Sequence, residues 1–314
     1  MIGTVGFNVE KTAEKINIRG TLRTGEPMAA HTSFGIGGPA DLYAVPADEE
    51  DLLTLLRIAD EELLPRFILG GGANILVADA GIRGLVIDMR SFSDITRNGN
   101  HLTVGAGAAV SEASDRAFRE ELSGLEFIYR MPGSTGGAIW MNARCYGSSI
   151  VDVTGRVDYL DSDYRRRSLS PMNGEGGFSY KFSPFQHNGG IILRAVFSLE
   201  PGEPEAIEAR MQEVAADRER KGHFSYPSAG SVFKNNRAFG SPTGKILDEL
   251  GLRGLNSGRA QIAPFHGNII INTGGATAED VRSLVETARQ RAYEQRGLVL
   301  EPEIRFIGDW QAVD

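Results

Sequence analysis

The stretch that most constrains this 314-residue chain is residues 67–76, FILGGGANIL. Phe67-Ile68-Leu69 has the length and composition of a buried strand, and it runs without a spacer into Gly70, Gly71 and Gly72. Three positions without side chains let the backbone approach a ligand closely, and successive uncovered N–H groups make an anion-binding nest. A tight turn alone needs fewer glycines. The run therefore predicts a strand ending in a phosphate- or cofactor-contacting loop that continues through Ala73 and Asn74. Two more Gly-rich loops occur, HTSFGIGGPADLYAVP (31–46) and MPGSTGGAIWMNARCYG (131–147), the second bearing Ser134, Thr135 and Asn142. Three such loops point to a large ligand with a diphosphate, such as a dinucleotide.

The two commonest nucleotide patterns do not fit. GAGAAV (105–110) follows a strand and precedes a helix, but Val110 stands where G-x-G-x-x-G needs its third glycine. GSPTGKI (240–246) lacks the P-loop spacing and the hydroxyl residue after Lys245.

Composition narrows the partners. With 41% apolar and 24% charged residues the chain is an ordinary soluble protein, long enough for two or three domains. A net charge of −8 implies no large basic face, which argues against nucleic acid or an anionic membrane as partner. Cys145 is the only cysteine, so no intramolecular disulfide can form and a reducing cytosol is expected. The first 20 residues hold no apolar core of signal-peptide length, and no later run approaches a membrane span. The five histidines are scattered without ligand spacing, so no metal site is expected.

The order of elements is mixed. The first 30 residues read as a loosely ordered lead-in with one helix. DEEDLLTLLRIADEELLP (48–65) is a short amphipathic helix capped by Asp48 and stopped by Pro65. Strands follow at LVIDM (85–89), HLTVGAG (101–107), RVDYLDS (156–162) and IILRAVFSLE (191–200), with one helix between them at 109–122. After a Pro-flanked boundary at 201–205 come a charged helix (205–221), the YPSAGSVFK strand and a helix near 245–251. Strand 268–272, helix 278–296 and strand 299–308 complete the chain. Three α/β or α+β lobes result.

HTSFGIGGPADLY, LGGGANILV, MPGSTGGAIWMNA, SAGSVFKN, HGNIIIN and EPEIRFIG, in this order, resemble the UDP-N-acetylenolpyruvoylglucosamine reductase family from about residue 18 to 308. The resemblance implies an α+β fold, with a two-lobed FAD-binding part of the vanillyl-alcohol-oxidase (PCMH) type and a C-terminal UDP-sugar-binding domain. The implied boundaries are 1–88 (completed by 300–314), 89–202 and 203–299. It implies non-covalent FAD, NADPH as co-substrate, a UDP-sugar as the small-molecule partner, no obligatory protein partner and a cytoplasmic location. NADPH would reduce the flavin and leave, and the enolpyruvyl sugar would then take hydride at C3 and a proton at C2.

The same resemblance implies the site. Flavin contacts fall on Gly70, Gly71, Gly72, Ala73, Asn74, Ile75 and Leu76, and on Pro132, Gly133, Ser134, Thr135, Gly137, Ala138 and Asn142. Ser231 matches the proton donor and Glu303 the acid beside the substrate carboxylate. In FSYKFSPF (178–185), Tyr180 and Ser183 fit the family pattern, but Lys181 stands where it has arginine. Lysine keeps the positive charge and loses the planar fork, so either Lys181 stabilises the enolate or Arg144 or Arg194 supplies a fork. Lys221 matches a phosphate-contacting lysine, and Asn235, Gln261, His266 and Asn268 lie in substrate-domain loops. For His266 and Asn268, bracing the loop and touching the ligand are both open. The short interval from Lys181 to Ser231 resembles the subgroup that lacks a tyrosine-bearing lid.

Ser231 and Lys234 also have the S-x-x-K spacing of acyl-enzyme serines. That chemistry needs a helix, whereas this segment reads as a strand, on which positions three apart face opposite ways. S-D-N and K-T-G partner motifs are absent. A third reading is a serine that merely caps a turn. At the level of the whole chain, the alternatives to the reductase are another FAD oxidase or dehydrogenase of the same fold, or a non-catalytic flavin or nucleotide-sugar binder.

Overall fold

The acids at 48–51 do what their positions dictate. In the computed structural model, which describes residues 8–310, Asp48 caps the helix Glu49–Glu61 by accepting from the N–H groups of Glu50 and Asp51. Leu52, Leu55, Leu56 and Ala59 bury one face of this helix. They share a core with Leu42, Ala44, Leu85 and Ile87 of a four-stranded sheet, ordered Thr21–Pro27, Pro39–Val45, Ile82–Asp88, Arg66–Leu69. Strand Ile82–Asp88 is parallel to both neighbours and almost wholly buried, as a near-continuous apolar run requires.

The lead-in is more ordered than its polarity predicts. After the helix Val9–Lys15, Thr21–Pro27 forms an edge strand, where solvent-facing polar residues are tolerated because only one side pairs. Residues 1–7 of that segment lie outside the described residues.

A five-stranded antiparallel sheet follows, in the order Arg166–Leu169, Thr154–Leu160, Ile191–Ser198, His101–Gly105, Ile95–Asn98. The helices Val110–Arg119 and Thr135–Met141 bury Ala113, Ala117 and Ile139 with Leu102, Val104 and Phe197 of this sheet. Leu160, Ile191 and Leu193 reach instead into the core of the first sheet, so the two sheets fold as one body.

The chain divides into two compact units. One holds the described residues up to Glu26, Pro39–Gly71 and Ile82–Glu208; the other holds Pro27–Gly38, Gly72–Gly81 and the described residues from Ala209. This division differs from the expected boundaries at 88/89 and 202/203, because the two sheets share a core and because 27–38 and 72–81 pack with the C-terminal part. The helix Pro204–Arg220 runs through the boundary.

In the second unit a four-stranded antiparallel sheet, ordered Ser228–Ser231, Ile269–Asn272, Ala260–Ile262, Asn256–Ser257, carries the helices Thr243–Glu249 and Ala278–Arg296. The long helix starts at a Thr277/Asp280 capping box. Asp79 also accepts from its first N–H groups, at 2.8 Å from Ala278 and 3.1 Å from Glu279. The last strand is shorter than expected: Arg305–Ile307 pairs in parallel with Ile75–Val77, and residues 301–304 run outside it.

Candidate active site

The glycine run lies where two loops meet backbone to backbone. A Cβ on Gly71 would stand 2.6 Å from both Gly133 Cα and Ser134 N, so no other residue fits. The Gly71 N–H donates to Ser134 Oγ at 3.1 Å, and the same oxygen accepts from Gly137 N–H at 3.2 Å. Thr135 is fully buried with its hydroxyl donating to the Ala108 carbonyl, which makes it a brace for this loop. Gly137 and Ala138 lie in the short helix that follows, and Pro132 is exposed beside it. Ile75 and Leu76 are buried strand residues paired with Arg305 and Phe306.

In the second unit, Gly72 accepts at its carbonyl from Ser33 N–H at 3.1 Å. Among the described residues no acceptor takes the N–H groups of Gly72, Ala73 or Asn74, which leaves three consecutive donors of the kind that hold a phosphate. Asn142, only 3% exposed, donates through Nδ2 to Ser179 O at 2.7 Å, while its buried Oδ1 meets no donor among the described residues. The three donors of the second unit fit the diphosphate of the dinucleotide that the loops predict.

Ser231 ends a distorted strand. The register against Ile269–Asn272 shifts between Ser228 and Ser231, and Gly230 at the bulge has φ +71°, a conformation that L side chains rarely adopt. No other described residue hydrogen-bonds the Ser231 hydroxyl, so it does not cap a turn.

Residues 301–304 run antiparallel beside the segment that follows Ser231. Glu303 N–H donates to Val232 O at 2.7 Å, Phe233 bridges Pro302, and Lys234 N–H donates to Glu301 O at 2.9 Å. The main chain thus brings Glu303 next to Ser231. Asn74 fastens this arrangement from the glycine loop: its Nδ2 donates to Glu303 O at 3.0 Å and its carbonyl accepts from Arg305 N–H at 3.0 Å. Lys234 pairs with Glu301, Nζ to Oε1 2.5 Å, so neither stands free for chemistry at Ser231.

The remaining substrate-domain candidates separate by geometry. Asn268, 3% exposed, clamps Phe233 from both sides, accepting from its N–H at 2.9 Å and donating to its carbonyl at 2.8 Å. These two bonds brace the segment that follows Ser231. Asn235 is exposed, and its Oδ1 accepts from Thr243 N–H at the start of a helix. Gln261 Nε2 donates to Gly254 O at 3.3 Å. Lys221 is half-exposed and paired with Asp217 at 2.6 Å. His266 accepts the Asn268 N–H on Nδ1 at 3.1 Å, and burial pushes its pKa down. His223, which sequence reasoning missed, is pushed down to about 4 by burial and by the neighbouring charges of Arg218, His266 and Lys221.

Lys181 belongs to the first unit. It is the second residue of a two-residue turn closed by reciprocal bonds between Ser179 and Phe182, at 3.2 and 3.1 Å, with φ +56°. Tyr180, before it, is 47% exposed. The arginines that could have replaced it are held elsewhere. Arg194 pairs with Asp158 at 2.8 Å, and Arg144 donates to Ser149 Oγ at 2.9 Å and Gly147 O at 2.8 Å. Cys145 is half-buried, with Sγ 3.0 Å from Phe127 O, consistent with a packing role.

Comparison with known proteins agrees with this layout. An FAD binding domain family model matches residues 40–163, and the model for the C-terminal domain of UDP-N-acetylenolpyruvoylglucosamine reductase matches residues 222–307. Curated proteins named UDP-N-acetylenolpyruvoylglucosamine reductase are similar over nearly the whole chain. The one from Caldanaerobacter subterraneus is 42% identical, covering 96% of this chain and 98% of its own. That from Treponema denticola is 40% identical, covering 93% and 95%. The crystal structure of the reductase from Thermus caldophilus superposes with a TM-score of 0.79 at 34% identity, covering 93% of this chain and 100% of that one. The α+β fold, with a flavin-binding domain followed by a reductase-type C-terminal domain, is therefore as expected. The chain belongs to the UDP-N-acetylenolpyruvoylglucosamine reductase family.

Proposed function

We propose that this protein is an FAD-containing oxidoreductase that uses NADPH to reduce the enolpyruvyl group of UDP-N-acetylglucosamine enolpyruvate, giving UDP-N-acetylmuramate for peptidoglycan synthesis in the cytoplasm. The observation that carries the reading is the Ser231 hydroxyl, unengaged at a glycine bulge and set by the main chain next to Glu303. A flavin oxidase or a plain binder has no need of that pairing.

FAD, when bound, supplies the relay by which hydride from NADPH reaches the substrate. In the second unit the N–H groups of Gly72, Ala73 and Asn74 would hold its diphosphate; in the first unit the flavin contacts would come from Gly70, Gly71, Gly133, Ser134 and Asn142. Hydride addition at C3 leaves a pair of electrons at C2, delocalised into the carboxylate as an enolate. Lys181 lowers the energy of that charge by its ammonium. Glu303 borders the carboxylate, and the Ser231 O–H gives its proton to C2 and regains one from solvent. A serine hydroxyl is a weak acid in water, but a carbanion is basic enough to take its proton, and such general acid help contributes about 10²–10⁴ in rate. Tyr180, Lys221, Asn235, Gln261 and His266 would contact the UDP-sugar, with Asn268 as a brace.

The test is a spectroscopic titration of the purified holoprotein without oxygen. NADPH should bleach the yellow flavin, and the enolpyruvyl sugar should restore its colour within the turnover time. Recovery only on admitting oxygen would indicate an oxidase, and no bleaching would indicate a binder.

A further inference from the structure

A lysine in place of an arginine raises a physical problem. An ammonium on a four-carbon stem is mobile, whereas a guanidinium arrives with its geometry built in. The first unit holds an answer in the main chain around Lys181. The turn Ser179–Phe182 and the residues that follow it to Gln186 are fastened to the C-terminal end of the helix Thr135–Met141 by four bonds, and a fifth ties Gln186 back to the turn. Asn142 Nδ2 donates to Ser179 O at 2.7 Å, immediately before the turn's central residues. Gln186 Nε2 donates to Lys181 O at 3.1 Å, on the lysine itself, and also to Trp140 O at 2.9 Å. Ser183, fully buried, donates to the same Trp140 carbonyl at 2.6 Å. Trp140 Nε1 returns a bond to Phe185 O at 3.1 Å.

These bonds straddle Lys181, which sits at φ +56° in a conformation that non-glycine residues rarely hold without external support. The clamp therefore fixes the Cα–Cβ direction of Lys181. Asn142 adds its own left-handed backbone, φ 44°, as the residue ending that helix. We propose that Gln186, assisted by Asn142, is a positioning residue for the proposed reaction: it orients Lys181 toward the developing enolate. This rests on the assignment of Lys181 made above.

The experiment uses the holoprotein and Gln186→Met, which keeps the length of the side chain and removes both donated bonds. Three readouts are taken: flavin content, the rates of NADPH bleaching and of reoxidation by the enolpyruvyl sugar, and hydrogen–deuterium exchange across 179–187. The expected result is reoxidation about tenfold slower relative to bleaching, the size of losing one or two modest hydrogen bonds at the reacting step. Exchange in 179–187 should rise in the same variant. In a Lys181→Ala background, the same substitution should slow reoxidation no further, because the group it orients is gone. An unchanged ratio of the two rates, a second tenfold loss on top of Lys181→Ala, or unchanged exchange overturns the proposal. Should Gln186→Met fail to fold, Ser183→Ala carries the same cycle, since it removes the clamp's other bond to the Trp140 carbonyl with a smaller change in volume. A wild-type protein that NADPH bleaches but the enolpyruvyl sugar does not reoxidise overturns the functional reading, and this is seen before any variant is made.

Discussion

Replacing Asn268 by alanine tests how the catalytic segment is held. Asn268 is 3% exposed, and its amide makes two bonds to the main chain of Phe233, itself 2% exposed. Truncation leaves a buried N–H and a buried C=O without partners. Each such orphan costs about 1–3 kcal/mol, so the expected loss is about 2–6 kcal/mol, toward the lower end if a water enters the cleared space. The effect must reach the chemistry as well, because Phe233 is two residues from Ser231 and its neighbour Val232 carries the bond to Glu303 N–H. Stability is measured by urea unfolding in a Trp140→Phe background, where Trp310 fluorescence reports the second unit alone. Steady-state kinetics complete the assay: kcat should fall about 10- to 100-fold with KM within about threefold, as an interaction realised in the transition state requires. Unchanged stability with a raised KM would refute the reasoning and make Asn268 a ligand contact.

Three other outcomes follow from the same geometry. Ser231→Ala should slow reoxidation by the enolpyruvyl sugar about 10²–10⁴-fold, with Ser231→Cys recovering part; a wild-type rate in the alanine variant would remove serine as the acid. Gly71→Ala should purify with little flavin, because the added carbon would lie 2.6 Å from Gly133 Cα, and full flavin content by absorbance would contradict the close approach. His223, with a folded pKa of about 4 against 6.5 when free, binds fewer protons folded than unfolded between those values. Its contribution is intact above about pH 6.5 and is lost as pH falls toward 4; His223→Gln should reduce the drop in urea midpoint between about pH 7.5 and about pH 4.5, and an unchanged drop would place the titration elsewhere.

Much of the fold could be read because local chemistry and tertiary role coincide. The helix Glu49–Glu61 was legible in its capping aspartate, first-turn acids and spaced leucines, and Ala278–Arg296 in its length and bounds. Thr21–Pro27 was not, since an edge strand pairs on one side only and needs no apolar alternation. The strand expected at YPSAGSVFK ends at Ser231, and that expected at 299–308 shrinks to Arg305–Ile307. In both places irregular main chain carries the residues proposed to act, and periodicity cannot see a bulge.

At the site, the sequence by itself determined which residue types were available: glycines for close approach, a serine after a glycine, acids in EPE, a lysine where the family resemblance implies arginine. It also settled the family, because six motifs in order are far more specific than any one of them. Tertiary structure alone decided what each polar group is engaged with. Lys234 and Glu301 neutralise each other, Asn268 braces Phe233, Asn74 fastens Glu303, and Gln186 holds the turn of Lys181. The physical reason is that a hydrogen bond or ion pair is satisfied across space, between residues as far apart in sequence as 74 and 303. No local pattern records which partner a side chain will meet once the chain has folded.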